Sequence, residues 1–72
     1  MVKGIVVEVE KLTHRTNIYY HVYDSSNAWE WYTEKNVPDS IIQYINKHKP
    51  CKTWENIYPD IKTTIESIVY KF

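Results

Sequence analysis

Apolar and polar side chains alternate with a period of two in three stretches of the first half of the chain. These stretches cover residues 4–12, 18–23 and 28–33, and each is rich in β-branched or aromatic residues. Such alternation between turn-forming segments is typical of strands that are buried on one side. Residues 14–17 and 24–27 have the short polar composition of hairpin loops. The pattern therefore predicts an antiparallel meander of three strands.

The period changes to that of a helix over residues 36–49, where an apolar stripe begins at Ile41. Pro38 suits the first turn of this helix, and Pro50 ends it. A second helix is expected to begin near Pro59, with a stripe formed by Ile61, Ile65, Ile68, Val69 and Phe72. Two helices on one face of the meander would give an α+β fold of order βββαα. No linker or repeat interrupts the chain, so we expect a single domain over residues 1–72.

Hairpin loops of four residues would set the register of the three strands. Val9 would then lie opposite Val22, and Trp31 opposite Tyr20. The face covered by the helices is predicted to hold Val7, Val9, Ile18, Tyr20, Val22, Trp29 and Trp31. The opposite, open face is predicted to hold Glu8, Glu10, Leu12, Tyr19, His21, Tyr23, Glu30 and Tyr32. This register places both tryptophans of the third strand in the core.

Composition narrows the classes of function. Nine acidic and nine basic residues cancel, whereas proteins that bind mainly phosphate backbones carry a basic excess. One glycine among 72 residues leaves no glycine-rich phosphate loop, and no nucleophile or metalloprotease motif is present. We therefore expect a protein that is not an enzyme and needs no cofactor. A single cysteine and the absence of a signal-like or membrane-spanning run favour the cytoplasm.

The open face supplies the first candidate site, formed by Tyr19, His21, Tyr23, Glu30 and Tyr32. Tyrosines with few lysines are typical of protein interfaces, although an ordinary solvated face whose tyrosines pack across strands fits equally well. A metal site built from His21, Glu10 and Glu30 is the weaker interpretation of the charged residues. A cross-strand hydrogen-bonded row is favoured instead, so no metal is predicted.

A second candidate site is the basic segment 46–52, in which Lys47, Lys49 and Lys52 could bind phosphate. Cations at the end of a helix are also ordinary complements of the helix dipole. Cys51 lies in the same segment, but no positioned base accompanies it, so a catalytic thiol is not expected.

The stretches "VYDSSNAWEWY" and "NVPDSIIQYI" resemble the KTSC domain, a small bacterial module. Trp29 and Trp31 would stand for the aromatic pair of that family's YxY motif, and Val37, Pro38, Asp39 and Ile41 for its helix entry. The resemblance covers residues 5–48. Trp replaces Tyr, the turn lacks the family's glycine, and "TEK" is inserted before the helix. What the resemblance implies is a role in RNA binding.

Taken together, these patterns predict a small binding protein that acts by protein–protein contact. Abundant Ile, Lys, Asn and Tyr suggest an AT-rich genome, and we expect an accessory or inhibitor protein of a phage or mobile element. The alternative is a module that binds RNA or another single-stranded nucleic acid, using the same tyrosines with the lysines of residues 46–52. A homodimer that pairs through the open face is a third arrangement. No membrane partner is expected.

Overall fold

The computed structural model describes residues 2–26 and 29–71. They form one five-stranded antiparallel sheet and a single α-helix. In chain order the elements are β1 (Val2–Lys11), β2 (Thr16–Asp24), β3 (Trp29–Thr33), α1 (Asp39–Lys47), β4 (Lys52–Tyr58), a 3-10 turn (Pro59–Ile61) and β5 (Thr63–Lys71). The strand order across the sheet is β3-β2-β1-β5-β4. Asn27, Ala28 and Phe72, which the sequence analysis assigned to a loop, a strand and a helix, lie outside the described residues.

The expected βββαα fold is wrong, because the second helix is replaced by two strands. β5 carries β-branched residues at five of its nine positions, and these side chains favour a strand over a helix. Apolar residues at Ile65, Ile68 and Val69 fit a helical stripe, yet the strand divides them between its two faces. Residues Lys52–Tyr58, which lie between the two expected helices, form β4.

The turn between β4 and β5 explains why this hairpin gave little signal in the sequence. It contains no glycine, and Lys62 takes the left-handed conformation, with a φ of 52°. Glycine or asparagine is the usual residue at such a position, so a lysine there hides the hairpin. β5 then pairs with β1 and β4, which places it inside the sheet.

The core lies between α1 and one face of the sheet. α1 begins after Pro38, has Asp39 in its first turn, and buries Ile41. The fully buried side chain is Ile5 of the central strand β1. The core cluster consists of Ile5, Val7, Val22, Ile41 and Tyr70. Tyr20 packs against this cluster, and burial raises the pKa of its phenol. One helix therefore covers one side of the sheet and leaves the other side open.

The first hairpin differs from the expected register by four residues. Val9 lies opposite Ile18 and not opposite Val22, and the loop covers residues 12–15. The backbone N–H of Leu12 donates to the carbonyl of Arg15 at 2.9 Å and closes this loop. Because the shift is an even number of residues, the predicted faces of β1 and β2 are unchanged.

Ile5→Ala should lower the free energy of unfolding by about 3 kcal/mol, because it removes a wholly buried side chain from the central strand. Ile5→Val should cost about 1 kcal/mol. The matched control is Ile61→Ala, at a side chain that is 68% exposed, and it should cost less than about 0.5 kcal/mol. Urea denaturation followed by circular dichroism measures all three. Equal losses for Ile5→Ala and Ile61→Ala would contradict this core.

Candidate functional site

The side of the sheet away from α1, here called the open face, is the candidate site. Alternating positions of each strand point to it, as the pairing of Glu8 with Tyr19 and of Val6 with His21 illustrates. From β1, β2 and β3 it takes Val6, Glu8, Glu10, Asn17, Tyr19, His21, Tyr23, Trp29, Trp31 and Thr33. From β5 and β4 it takes Ile65, Ser67, Val69, Lys52, Trp54, Asn56 and Tyr58.

All three tryptophans of the chain lie on the open face and are exposed to solvent. Their exposed fractions are 57% for Trp29, 60% for Trp31 and 47% for Trp54. On the β3 side the ring centroid of Trp31 lies 6.1 Å from that of Tyr19, and the Trp29 ring lies 5.8 Å from Tyr23. Both pairs are tilted, which is a favourable geometry for aromatic rings. Trp29 and Trp31 therefore each contact a tyrosine of the neighbouring strand while most of the indole stays in solvent.

The expected burial of Trp29 and Trp31 is therefore wrong. Trp31 lies opposite His21 and not opposite Tyr20, so the pairing of β2 with β3 differs from the expected register by one residue. A shift of one residue moves every side chain of a strand to the other face of the sheet. Glu30 and Tyr32 were expected on the open face, and the same shift places them on the opposite face.

The end of β2 differs from the expectation in the same way. The Asp24 carboxylate accepts hydrogen bonds from the backbone N–H of Ser26, at 2.9 Å, and from its hydroxyl, at 2.6 Å. This Asx turn begins at Asp24, which itself still belongs to β2. The strand therefore runs one residue further than expected. The sequence "DSS" indicates this turn, since Asp and Ser side chains commonly form hydrogen bonds with the backbone two residues away.

The five residues of the predicted contact site are divided between the two faces. Tyr19, His21 and Tyr23 lie on the open face. Tyr32 packs against the core on the other face, and its hydroxyl donates a hydrogen bond to the Glu30 carboxylate. That hydrogen bond raises the pKa of the Tyr32 phenol. The structure thus brings the two tyrosines and the histidine together with tryptophans that the sequence analysis had assigned to the core.

Acidic groups lie between the aromatic side chains on the open face. The Nε2 atom of His21 is 3.5 Å from a carboxylate oxygen of Glu8. Glu10 accepts a hydrogen bond of 3.0 Å from the side-chain amide of Asn17. From Gly4 to Glu10 of β1, and at the open-face positions of β2 and β3, the described residues include no lysine or arginine, and Lys3 lies at a β-bulge at the start of β1. This half of the face is therefore aromatic and acidic.

The three lysines proposed for phosphate binding occupy different elements. Lys47 lies in the last turn of α1, and Lys49 is exposed in the segment that follows. Lys52 begins β4, on the open face, with its Nζ 5.0 Å from the centroid of the Trp54 ring. This is the distance of a cation–π contact. Of the three, only Lys52 belongs to the open face.

The geometry does not support the metal interpretation of His21, Glu10 and Glu30. The metal interpretation needed Glu30 beside His21, but the two side chains point to opposite faces of the sheet. Over residues 2–26 and 29–71, no group of three or more histidine, cysteine or acidic side chains is arranged to hold a metal ion. Cys51 is a free, exposed thiol.

Among the described residues, no helix has the length and apolar character needed to cross a membrane. Comparison of the chain with protein-family models, curated proteins and solved structures finds no match. The resemblance to the KTSC domain therefore stays a prediction.

Acrylamide should quench the fluorescence of the native protein at least about half as strongly as that of the urea-unfolded chain, because all three tryptophans are exposed. Trp54→Phe leaves only Trp29 and Trp31, and quenching of this variant should be similarly strong. Strong protection of the two remaining tryptophans would contradict the observed register and favour their burial in the core.

Proposed function

We propose that this protein is a non-catalytic binding module that holds a basic segment of a partner protein on its open face. The observation that supports the proposal is the exposure of Trp29, Trp31 and Trp54 on one side of the sheet. A lone cysteine among 72 residues suits a reducing compartment, so we place this interaction in the cytoplasm.

The aromatic side chains supply the first argument. Large apolar rings exposed together on one surface mark interaction sites in small soluble proteins. Tryptophan and tyrosine are also the residues that most often dominate the energy of a protein interface. Here the rings of Tyr19 and Tyr23 contact Trp31 and Trp29, which reduces the side-chain entropy that binding would cost.

Charge complementarity supplies the second argument. Glu8 and Glu10 lie on the central strand, between the aromatic residues of β2 and β3 and those of β4. A partner segment with several arginine or lysine side chains would meet carboxylates on β1 and indole rings on β3, and both groups attract cations. A phosphate backbone would instead meet two carboxylates. Arginine and lysine side chains of a partner are therefore the best complement of this half of the face.

The dimensions of the face fit an extended peptide that crosses the strands. The register places Trp31, His21, Val6, Val69 and Lys52 in one row. Four strand spacings separate the ends of this row, which is about 19 Å. An extended chain covers this distance with about six residues.

Binding can be measured with defined probes, each about 12 residues or nucleotides long: an arginine–serine peptide, the same peptide with citrulline for arginine, a glutamate–serine peptide and oligo(U). Citrulline keeps the shape of arginine but removes its charge. The arginine peptide should bind at least about tenfold more tightly than the citrulline peptide, since cation–π and carboxylate contacts each contribute about 1 kcal/mol. Fluorescence anisotropy of labelled probes gives the dissociation constants.

Matched variants locate this binding on the open face. Glu8→Gln should weaken binding of the arginine peptide several-fold, whereas Glu30→Gln, which removes the same charge from the opposite face, should not. Trp31→Ala should weaken it about 30-fold, in the range of an interface hot spot, and Tyr32→Phe should have little effect. Equal affinity for the arginine and citrulline peptides, or equal effects of Glu8→Gln and Glu30→Gln, would contradict the proposal.

Binding to single-stranded nucleic acid is the second candidate, and one observation favours it. Lys52 lies over Trp54 on the open face, and a cation beside an exposed indole can serve a stacked base and its phosphate. Tight binding of oligo(U) that falls steeply with salt, together with weak binding of every peptide, would support this function and overturn the first. Lys52→Gln should then reduce the salt dependence.

A further inference from the structure

β4 is an edge strand with an exposed outer side. All seven of its residues, Lys52–Tyr58, are exposed to solvent. It pairs with β5 on one side, and no strand of the described residues pairs with its other side. An edge of this length presents backbone N–H and C=O groups that another strand can complete. Natural edge strands are often protected by proline, a bulge or a covering loop, and β4 contains no proline.

Apolar side chains project on both sides of this edge. Trp54 and Tyr58 lie on the open face and are 47% and 43% exposed. Ile57 points to the other face and is 66% exposed, and Ile61 in the following 3-10 turn is 68% exposed. A partner that only touched the open face would leave Ile57 in water. A strand added beside β4 would reach both sets of side chains.

We propose that β4 pairs antiparallel with β4 of a second copy of this chain, about a twofold axis at Asn56. This proposal does not depend on the function proposed above. In this register Trp54 of each copy lies opposite Tyr58 of the other copy, so the aromatic pair forms twice. The register centred on Glu55 would place two carboxylates directly opposite each other, which is destabilising.

Charges at the ends of the strand also favour the register centred on Asn56. It brings Lys52 of one copy to the end of the strand where the other copy carries Asp60 in its 3-10 turn. These charges are opposite, and the arrangement occurs twice because of the symmetry. The strand is therefore complementary to itself in backbone direction, aromatic pairing and charge.

Pairing of the two edges would join the two sheets into one of ten strands. Antiparallel pairing about an axis perpendicular to the sheet keeps each open face on the same side. Trp54 and Tyr58 of both copies would then form an aromatic group at the centre of a single, longer open face. The edge at β3 stays available in each copy.

Sedimentation equilibrium from about 1 μM to about 1 mM tests the dimer. We expect a reversible monomer–dimer equilibrium in this range. The double variant Trp54→Lys/Ile57→Lys should raise the dissociation constant at least about 30-fold, because it places four lysines at the edge pairing. Trp31→Lys, at an exposed tryptophan of β3, is the matched control and should leave the dimer intact. Circular dichroism confirms that each variant is folded.

Disulfide trapping tests the register without a change of charge. In a Cys51→Ser background, Asn56→Cys should form a cross-linked dimer, since residues opposite each other at the axis have the Cα separation that a disulfide needs. Ser40→Cys, exposed in α1, is the control and should cross-link at least about tenfold more slowly. A monomer at every concentration, or a dimer abolished by Trp31→Lys and not by the double variant, would overturn the proposal. Equal cross-linking at residues 56 and 40 would also overturn it.

Discussion

The pairing of β2 with β3 decides which surface this protein presents to its surroundings. His21 lies opposite Trp31 and Tyr23 opposite Trp29, so both tryptophans share a face with the alternating residues of β2 that point away from α1. Side chains on a strand alternate strictly between faces, so a pairing displaced by one residue would move both tryptophans to the face that carries α1 and would move Glu30 and Tyr32 to the open face. At the end of β2, the Asp24 carboxylate accepts two hydrogen bonds from Ser26, and this Asx turn accompanies the observed pairing.

A one-sided core is the second constraint. α1 is the one helix of the described residues longer than a 3-10 turn, and its buried residue, Ile41, contacts the face that carries Ile5 and Val7. A chain of this size cannot cover both sides of a five-stranded sheet with one nine-residue helix. The other side must therefore meet solvent or a partner. Its tryptophans lie there with carboxylates on the central strand, and this combination of aromatic and acidic groups is the basis of the function proposed for it.

Most secondary-structure elements of the first 49 residues could be predicted from the sequence. The strands β1 and β2 and the helix α1 were predicted near their observed bounds, because their periods of two and 3.6 are distinct. The predicted pairing of β1 with β2 was wrong by four residues, and this even shift left each side chain on its predicted face. The predicted pairing of β2 with β3 was wrong by one residue, and this shift moved every side chain of β3 to the opposite face. β4 and β5 were missed for two reasons: the apolar residues of β5 fit both periods, and Lys62 occupies a turn position that usually carries glycine. For the candidate site, Tyr19 and Tyr23 could be predicted from alternation alone, whereas the prediction for Tyr32 was wrong. The positions of Tyr32 and of the tryptophans depended on the register of β3, which the length of the second loop left open.

Nuclear Overhauser effects between the backbone protons of β2 and β3 test this account most directly, because they report which residues lie opposite each other. The observed register predicts cross-strand contacts that join His21 to Trp31 and Tyr23 to Trp29. Contacts that join Tyr20 to Trp31 and Val22 to Trp29 would show the alternative register. That result would bury the tryptophans and remove the surface from which the binding function is inferred.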